Sequence, residues 1–71
     1  MPRYNVVLIA VGTEQKIVLT KEATKENAEY ARRQWRNVLG LKHWTIDRRP
    51  GLDTMSGPDV VLGLTVERSD A

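Results

Sequence analysis

The chain has 71 residues, with eleven Lys and Arg against nine Asp and Glu, so its net charge is only +2. This length predicts one domain, residues 1–71, with a thin core, because small domains bury only about 60% of the surface that the unfolded chain exposes. The absence of cysteine excludes disulfides and thiolate metal ligands and favours a cytoplasmic protein. The longest apolar run, residues 6–11, is far shorter than the roughly 20 residues of a membrane span, so no membrane partner is expected.

The first half of the chain predicts a hairpin followed by a helix. Residues 4–11 form a strand with apolar side chains on both faces, and residues 16–20 form a short β-branched strand after the turn at Gly12. Thr24 is a good N-cap and Gly40 a natural residue after a helix end, so a helix is expected between them. Its apolar stripe, expected to pack on the sheet, consists of Ala28, Ala31, Trp35, Val38 and Leu39.

The second half predicts two more strands separated by a loop. Residues 42–48 alternate, with Trp44 and Ile46 on one side, and residues 50–59 are rich in turn-forming residues. Residues 60–67 form the last strand, with every second side chain apolar. The order ββαββ predicts a two-layer α+β fold, in which one helix packs on a four-stranded mixed β-sheet with the first and last strands adjacent at its centre.

Two short stretches carry a likeness to a known architecture. They are Ala23-Thr24 at the start of the helix and Trp44-Thr45-Ile46-Asp47 in the third strand. Together with the order hairpin, helix, strand, strand, they resemble the β-grasp fold of ubiquitin-like proteins and of streptococcal immunoglobulin-binding domains. The resemblance implies architecture alone. Conjugated ubiquitin-like proteins and sulfur carriers end in Gly-Gly, whereas this chain ends in Ser69-Asp70-Ala71, so neither role is expected.

The face of the sheet that the helix leaves uncovered is the first candidate site. Because side chains alternate along a strand, it is expected to hold Val7, Ile9, Val11, Val18, Val61, Gly63 and Thr65. A contiguous apolar patch is typical of an interaction surface. The first hypothesis is therefore a small noncatalytic protein-interaction module, forming a homodimer or binding a protein partner through the sheet. An accessory or phage protein that modulates a larger machine fits this size. The competing explanation is ordinary β-propensity.

A basic cluster supports an alternative function, nucleic-acid binding. Residues 32–49 contain a single acidic residue and six basic ones, namely Arg32, Arg33, Arg36, Lys42, Arg48 and Arg49. Phosphate binding requires several such side chains on one surface. A solvated helix flank, on which Glu29 pairs with Arg32 and Arg33, explains the helical arginines more simply. The solvated flank is therefore the favoured interpretation.

The residue types that carry catalysis and metal binding are sparse. His43 is the single histidine, and a zinc site needs three or four ligands. No Gly-rich phosphate loop or tuned carboxylate pair is recognisable. We therefore expect no enzyme activity, no metal, no cofactor and no small-molecule substrate. In the predicted loop, Leu52 and Met55 either anchor a partner or close the open end of the core.

Overall fold

The structure, a computed structural model, describes residues 3–13, 15–40, 44–49, 51–57 and 59–69. Its elements in chain order are β1 (Arg3–Ala10), β2 (Lys16–Glu22), α1 (Lys25–Leu39), β3 (Thr45–Arg49), β4 (Leu52–Ser56) and β5 (Val61–Ser69). The strands form one sheet in the order β2-β1-β5-β4-β3, and every neighbouring pair is antiparallel. The helix packs on one face, so the α+β class is as expected.

The predicted four-stranded mixed ββαββ sheet is wrong, because β4 lies inside the stretch that was expected to be a loop. One missed strand explains both errors. An additional antiparallel strand reverses the direction of the chain once more, so β5 runs antiparallel to β1 and not parallel to it. The adjacency of the first and last strands is confirmed, with β5 at the middle of the sheet.

The hairpin β3–β4 turns at a glycine. Gly51 has φ +81°, a left-handed conformation that favours glycine, and it allows Arg49 and Leu52 to pair across the turn. Because Leu52 and Met55 then fall on opposite faces of β4, only Met55 reaches the core, where it is 1% exposed.

Helix α1 begins where the sequence predicts. Thr24 has extended backbone angles, and its Oγ1 accepts a hydrogen bond from the Asn27 backbone N–H at 3.1 Å. The apolar stripe is only partly as expected. Ala28 is fully buried, whereas Val38 is 66% exposed and Arg32 is buried instead. The helix is therefore rotated so that Arg32 lies over the sheet and Val38 faces outward.

Replacing Thr24 with alanine should lower the free energy of unfolding by about 1 kcal/mol, because it removes the side-chain oxygen that caps the helix. Thr24→Ser keeps that oxygen and should remain close to wild type. Urea denaturation of both variants measures the difference. Equal losses in the two variants would contradict a capping role for the hydroxyl.

The core lies between α1 and the centre of the sheet. Its fully buried residues are Val6, Ala28, Met55 and Leu64. The small side chain of Ala28 allows the helix to approach β1 closely. Trp35 packs against this core and donates its indole N–H to Thr20 Oγ1 at 2.8 Å, which ties the helix to β2. Trp35 is therefore only partly buried, and not fully as the sequence predicted, because its indole N–H faces the hydroxyl of Thr20 on β2.

Both edges of the sheet discourage further strand pairing. The register between β1 and β2 shifts at Val6 and Val7, which leaves Leu19 without a partner in β1 as a bulge. At the other edge, β3 has only five residues, and its last three are Asp47, Arg48 and Arg49. Bulges, short strands and charges are the devices that protect sheet edges, so contact through a face of the sheet is favoured over edge addition.

Candidate functional site

The face of the sheet opposite α1, hereafter the outer face, brings the apolar residues singled out in the sequence together. Pairing registers place Val18, Val7, Thr65, Leu52 and Arg49 in one row across the five strands. The adjacent row holds Lys16, Ile9, Gly63, Thr54 and Asp47. Val11 and Val61 lie beside this second row, joined by a hydrogen bond from the Val11 N–H to the Val61 carbonyl at 3.0 Å.

Val7 belongs to the outer face but is only 1% exposed. In its own row it stands between Val18 and Thr65. Lys16 on β2 and Glu67 on β5 lie diagonally across β1 from each other, on either side of Val7. Their ion pair, with Lys16 Nζ 3.0 Å from Glu67 Oε1, therefore covers Val7. Val7 is therefore sealed within a single copy of the chain and offers no surface to a partner.

Four other aliphatic side chains of the outer face remain open to solvent. Val11, Val18, Leu52 and Val61 are between 39 and 55% exposed. Two of them lie beside Gly63, since atoms of Leu52 and Val11 are 3.5 and 3.7 Å from the position that a Cβ of Gly63 would occupy. These two side chains thus lean over the glycine from opposite sides and form a continuous apolar ridge. Leu52 was missed as a member of this face because its strand was expected to be a loop.

Three contacts within the chain involve polar side chains of the outer face. Thr65 Oγ1 donates to the Gly51 carbonyl at 3.0 Å. Lys16 bonds Glu67, and Arg49 Nη2 lies 2.9 Å from Asp47 Oδ2. Burying the ridge would leave these contacts in place, whereas Asn5 Oδ1, buried on the same face of β1, has no hydrogen-bond partner among the described residues.

A second apolar surface lies between α1 and the edge strand β2. It is an open groove of about 390 Å³ that includes Tyr30, Trp35 and Val38, with Glu22 at its rim. Tyr30 and Val38 are the two most exposed large apolar side chains among the described residues. The groove has the dimensions of a small-molecule pocket, whereas the outer face spans all five strands and offers the larger area that a protein–protein contact requires.

The basic residues predicted to form a nucleic-acid site do not share one surface. Arg32 is buried, and Arg36 is turned toward the sheet. Arg48 and Arg49 are consecutive in β3, so they point to opposite faces of the sheet. Arg33 is exposed on the helix. Lys42, like His43, lies outside the described residues.

Asp53 holds the two inward-turned arginines. It is 1% exposed, its Oδ2 lies 2.9 Å from Arg32 Nη1, and its Oδ1 lies 3.8 Å from Arg36 Nη1. Arg32 also donates from Nη2 and Nε to Glu29 Oε2, at 2.8 and 3.1 Å. The pairing of Glu29 with Arg32 was expected from their spacing, but it lies at the helix–sheet boundary and not on a solvated flank. This cluster joins α1 to β4, and within it the buried Nε of Arg36 has no hydrogen-bond partner in the part of the chain that the structure describes.

Two further classes of site are not visible in the part of the chain that the structure describes. Within it, no three His, Cys, Asp or Glu side chains come together as a metal site would require. Its helix is too short and too polar to cross a membrane.

Comparison of the chain with protein-family models, with curated proteins and with solved structures finds no match. The resemblance to the β-grasp architecture therefore stays an expectation. The outer face, with its open aliphatic ridge and the two ion pairs Lys16–Glu67 and Asp47–Arg49, is the strongest candidate site.

Proposed function

We propose that the chain is a noncatalytic protein-interaction module that self-associates through the outer face of its sheet. The observation that supports this most directly is the open apolar ridge of the outer face, in which Val11, Val18, Leu52 and Val61 are between 39 and 55% exposed. An antiparallel sheet can leave its second face to water, but exposed aliphatic side chains on that face are buried when it packs on another sheet, about 10 Å away.

The rest of the molecule is consistent with this choice of surface. Bulged and charged edges disfavour strand addition at β2 and β3. The buried charges are committed to one another, since Asp53 lies against Arg32 and Arg36. A buried acid held by two arginines is a structural element and not a free general acid, which supports binding over catalysis.

The expected interface is small. Five strands about 4.8 Å apart and four rows of side chains give a face of roughly 19 by 20 Å, or about 400 Å² in projection. Standard interfaces bury about 800 Å² on each partner, so the association is expected to be weak. It should therefore be sought in the millimolar to micromolar range.

Substituting Val61 with lysine should abolish self-association, because it places a charge within the apolar ridge, beside Val11. Nuclear magnetic resonance of the ¹⁵N-labelled protein over a dilution series measures this: in the wild type, resonances of the outer face should shift with concentration, and in Val61→Lys they should not. The matched control is Val38→Lys, an equally drastic change at an exposed valine on the helix, which should behave as wild type.

Two results would overturn the proposal. One is a wild-type protein whose spectrum does not change with concentration up to the millimolar range. The other is a set of concentration-dependent shifts at Tyr30 and Val38, together with a loss of association in the Val38→Lys control, which would place the contact at the groove beside β2.

A further inference from the structure

The groove between α1 and β2 carries one kind of charge. Glu22 lines it from β2, and the described residues that line it from α1 are all neutral. The Glu22 carboxylate forms no ion pair with another described residue. A cleft lined by charge of a single sign attracts ligands of the opposite sign. The groove therefore favours a ligand that carries a positive charge.

Two aromatic side chains in the same groove favour the same sign of charge. Tyr30 is 64% exposed, so its ring is open to a ligand. Trp35 donates its single N–H to Thr20 Oγ1 at 2.8 Å, which leaves only the apolar ring of Trp35 for a ligand. Aromatic rings attract cations placed over their faces and also bury apolar groups. A cation with an apolar body satisfies both properties.

The groove exists because Ala31 lies between larger side chains on this side of α1. Asn27, Ala31, Gln34 and Val38 line the groove at helical spacing, and the amide oxygens of Asn27 and Gln34 are further acceptors for a cationic group. Because β2 is an edge strand, no further strand covers the groove from that side. Its volume of about 390 Å³ lies within the range of small-molecule sites, roughly 300–1,000 Å³.

The basic side chains closest in sequence do not cancel the charge of the groove. Lys21 precedes Glu22 in β2, so it projects onto the outer face of the sheet. Lys25 lines a separate depression together with Glu29. Arg33 is exposed on α1 and does not line the groove. The sign of the charge inside the groove is therefore determined by Glu22.

We infer that this groove binds a small organic ammonium ion with an apolar body. The ammonium group pairs with Glu22, and the apolar body lies against Tyr30, Trp35 and Val38. The ligand is bound and not chemically altered. The groove lies on the helix side of the sheet, so this inference goes beyond the proposed function and does not depend on self-association through the outer face.

Three probes with one apolar body test the charge preference. They are phenethylammonium, neutral phenethyl alcohol and anionic phenylpropanoate, each titrated into the ¹⁵N-labelled full chain at a fixed protein concentration. Phenethylammonium should produce saturable shifts at Ala31, Gln34, Val38 and the Trp35 indole N–H, with a Kd on the order of 1 mM for so small a ligand. Phenylpropanoate should bind at least about tenfold more weakly, because its charge repels Glu22.

Glu22→Gln shows whether the carboxylate selects the cation. This variant should bind phenethylammonium about fivefold more weakly, and its affinity for phenethyl alcohol should be unchanged, because only the charged group is lost. Asp59→Asn is the matched control. It also converts an exposed acid to its amide, but in the turn before β5 and outside the groove, so it should bind as the wild type does. Circular dichroism shows that both variants fold.

The two lysine variants separate this site from the outer face. Val38→Lys places a positive charge in the groove and should weaken phenethylammonium binding by about tenfold or more, whereas Val61→Lys should bind it as the wild type does. Equal affinity for the three probes, or no saturable shift at α1 with any of them, would overturn the inference and leave self-association untouched. An unchanged affinity of Glu22→Gln for phenethylammonium would overturn it as well.

Discussion

Replacing Asp53 with alanine should lower the free energy of unfolding by about 3–5 kcal/mol, because it removes the fully buried carboxylate that pairs with the guanidinium of Arg32. Asp53 is 1% exposed, and its carboxylate also faces Arg36. Glu29 continues to accept from Arg32 in the variant, which places the expected loss at the lower end of that range. Urea denaturation followed by tryptophan fluorescence gives the value.

The matched control is Asp47→Ala, measured at concentrations where the chain is monomeric. Asp47 also pairs with an arginine, at the same 2.9 Å, but both side chains are exposed. Exposed pairs contribute about 0–1 kcal/mol. If Asp53→Ala costs no more than Asp47→Ala, the buried pair does not hold the helix to β4.

A double replacement separates the cost of leaving a buried charge unpaired from the cost of losing the side chain at position 53. Arg32→Met combined with Asp53→Leu removes both charges and fills their space with apolar atoms, so it should recover most of the stability lost in Asp53→Ala. A double variant as unstable as the single one would mean that the position, and not the unpaired charge, causes the loss.

The same pair fixes the register of β4, which the apolar residues leave ambiguous. Leu52 and Met55 fall on opposite faces, so hydrophobicity alone gives nearly equal support to either face. A slip by one residue would carry Met55 to the outer face and withdraw Asp53 from Arg32. Together with the turn at Gly51, the ion pair therefore favours the register in which Met55 is buried and Leu52 joins the outer ridge.

This explains why β4 could not be predicted. A strand is recognised by apolar residues on its inner face, but β4 carries an acidic residue there, and turn-forming residues flank it. The residue that compensates Asp53 is Arg32, 21 positions away on another element. One local signal was present: Arg32 is four residues after Ala28 and three before Trp35, which places it on the apolar stripe of the helix.

Elements whose sequence signals lie within the element itself, such as the start of α1 and strand β1, were predicted well. Thr24 is confirmed as the helix N-cap, and the apolar residues on both faces of β1 agree with its position inside the sheet. The sequence predicted an open outer face because a single helix can cover only one of the two faces of a sheet. The burial of Val7 on this face could not be predicted from the sequence. It depends on the ion pair between Lys16 and Glu67 across β1, and strand order and register bring these two residues together.

Replacing Leu64 with alanine should destabilise the fold by about 2–5 kcal/mol, through loss of buried methyl groups and the cavity that remains. Leu64 is 0% exposed on the central strand, between Leu8 and Asp53 in its row, so neighbours on both sides are fixed by the sheet and cannot collapse into the space. For a chain of this length, whose whole stability is expected to be about 4–11 kcal/mol, the variant lies near the limit of folding.

Two companion variants keep this prediction measurable even if Leu64→Ala does not fold. Leu64→Met nearly conserves volume and should cost less than about 1.5 kcal/mol. Leu52→Ala makes the same change at a leucine on the outer face that is 40% exposed, where little cavity forms, so its loss in dilute solution should be much smaller. Equal losses for Leu64→Ala and Leu52→Ala would mean that Leu52 is as buried in the monomer as Leu64, and the outer ridge would then be part of the core and closed to a second copy.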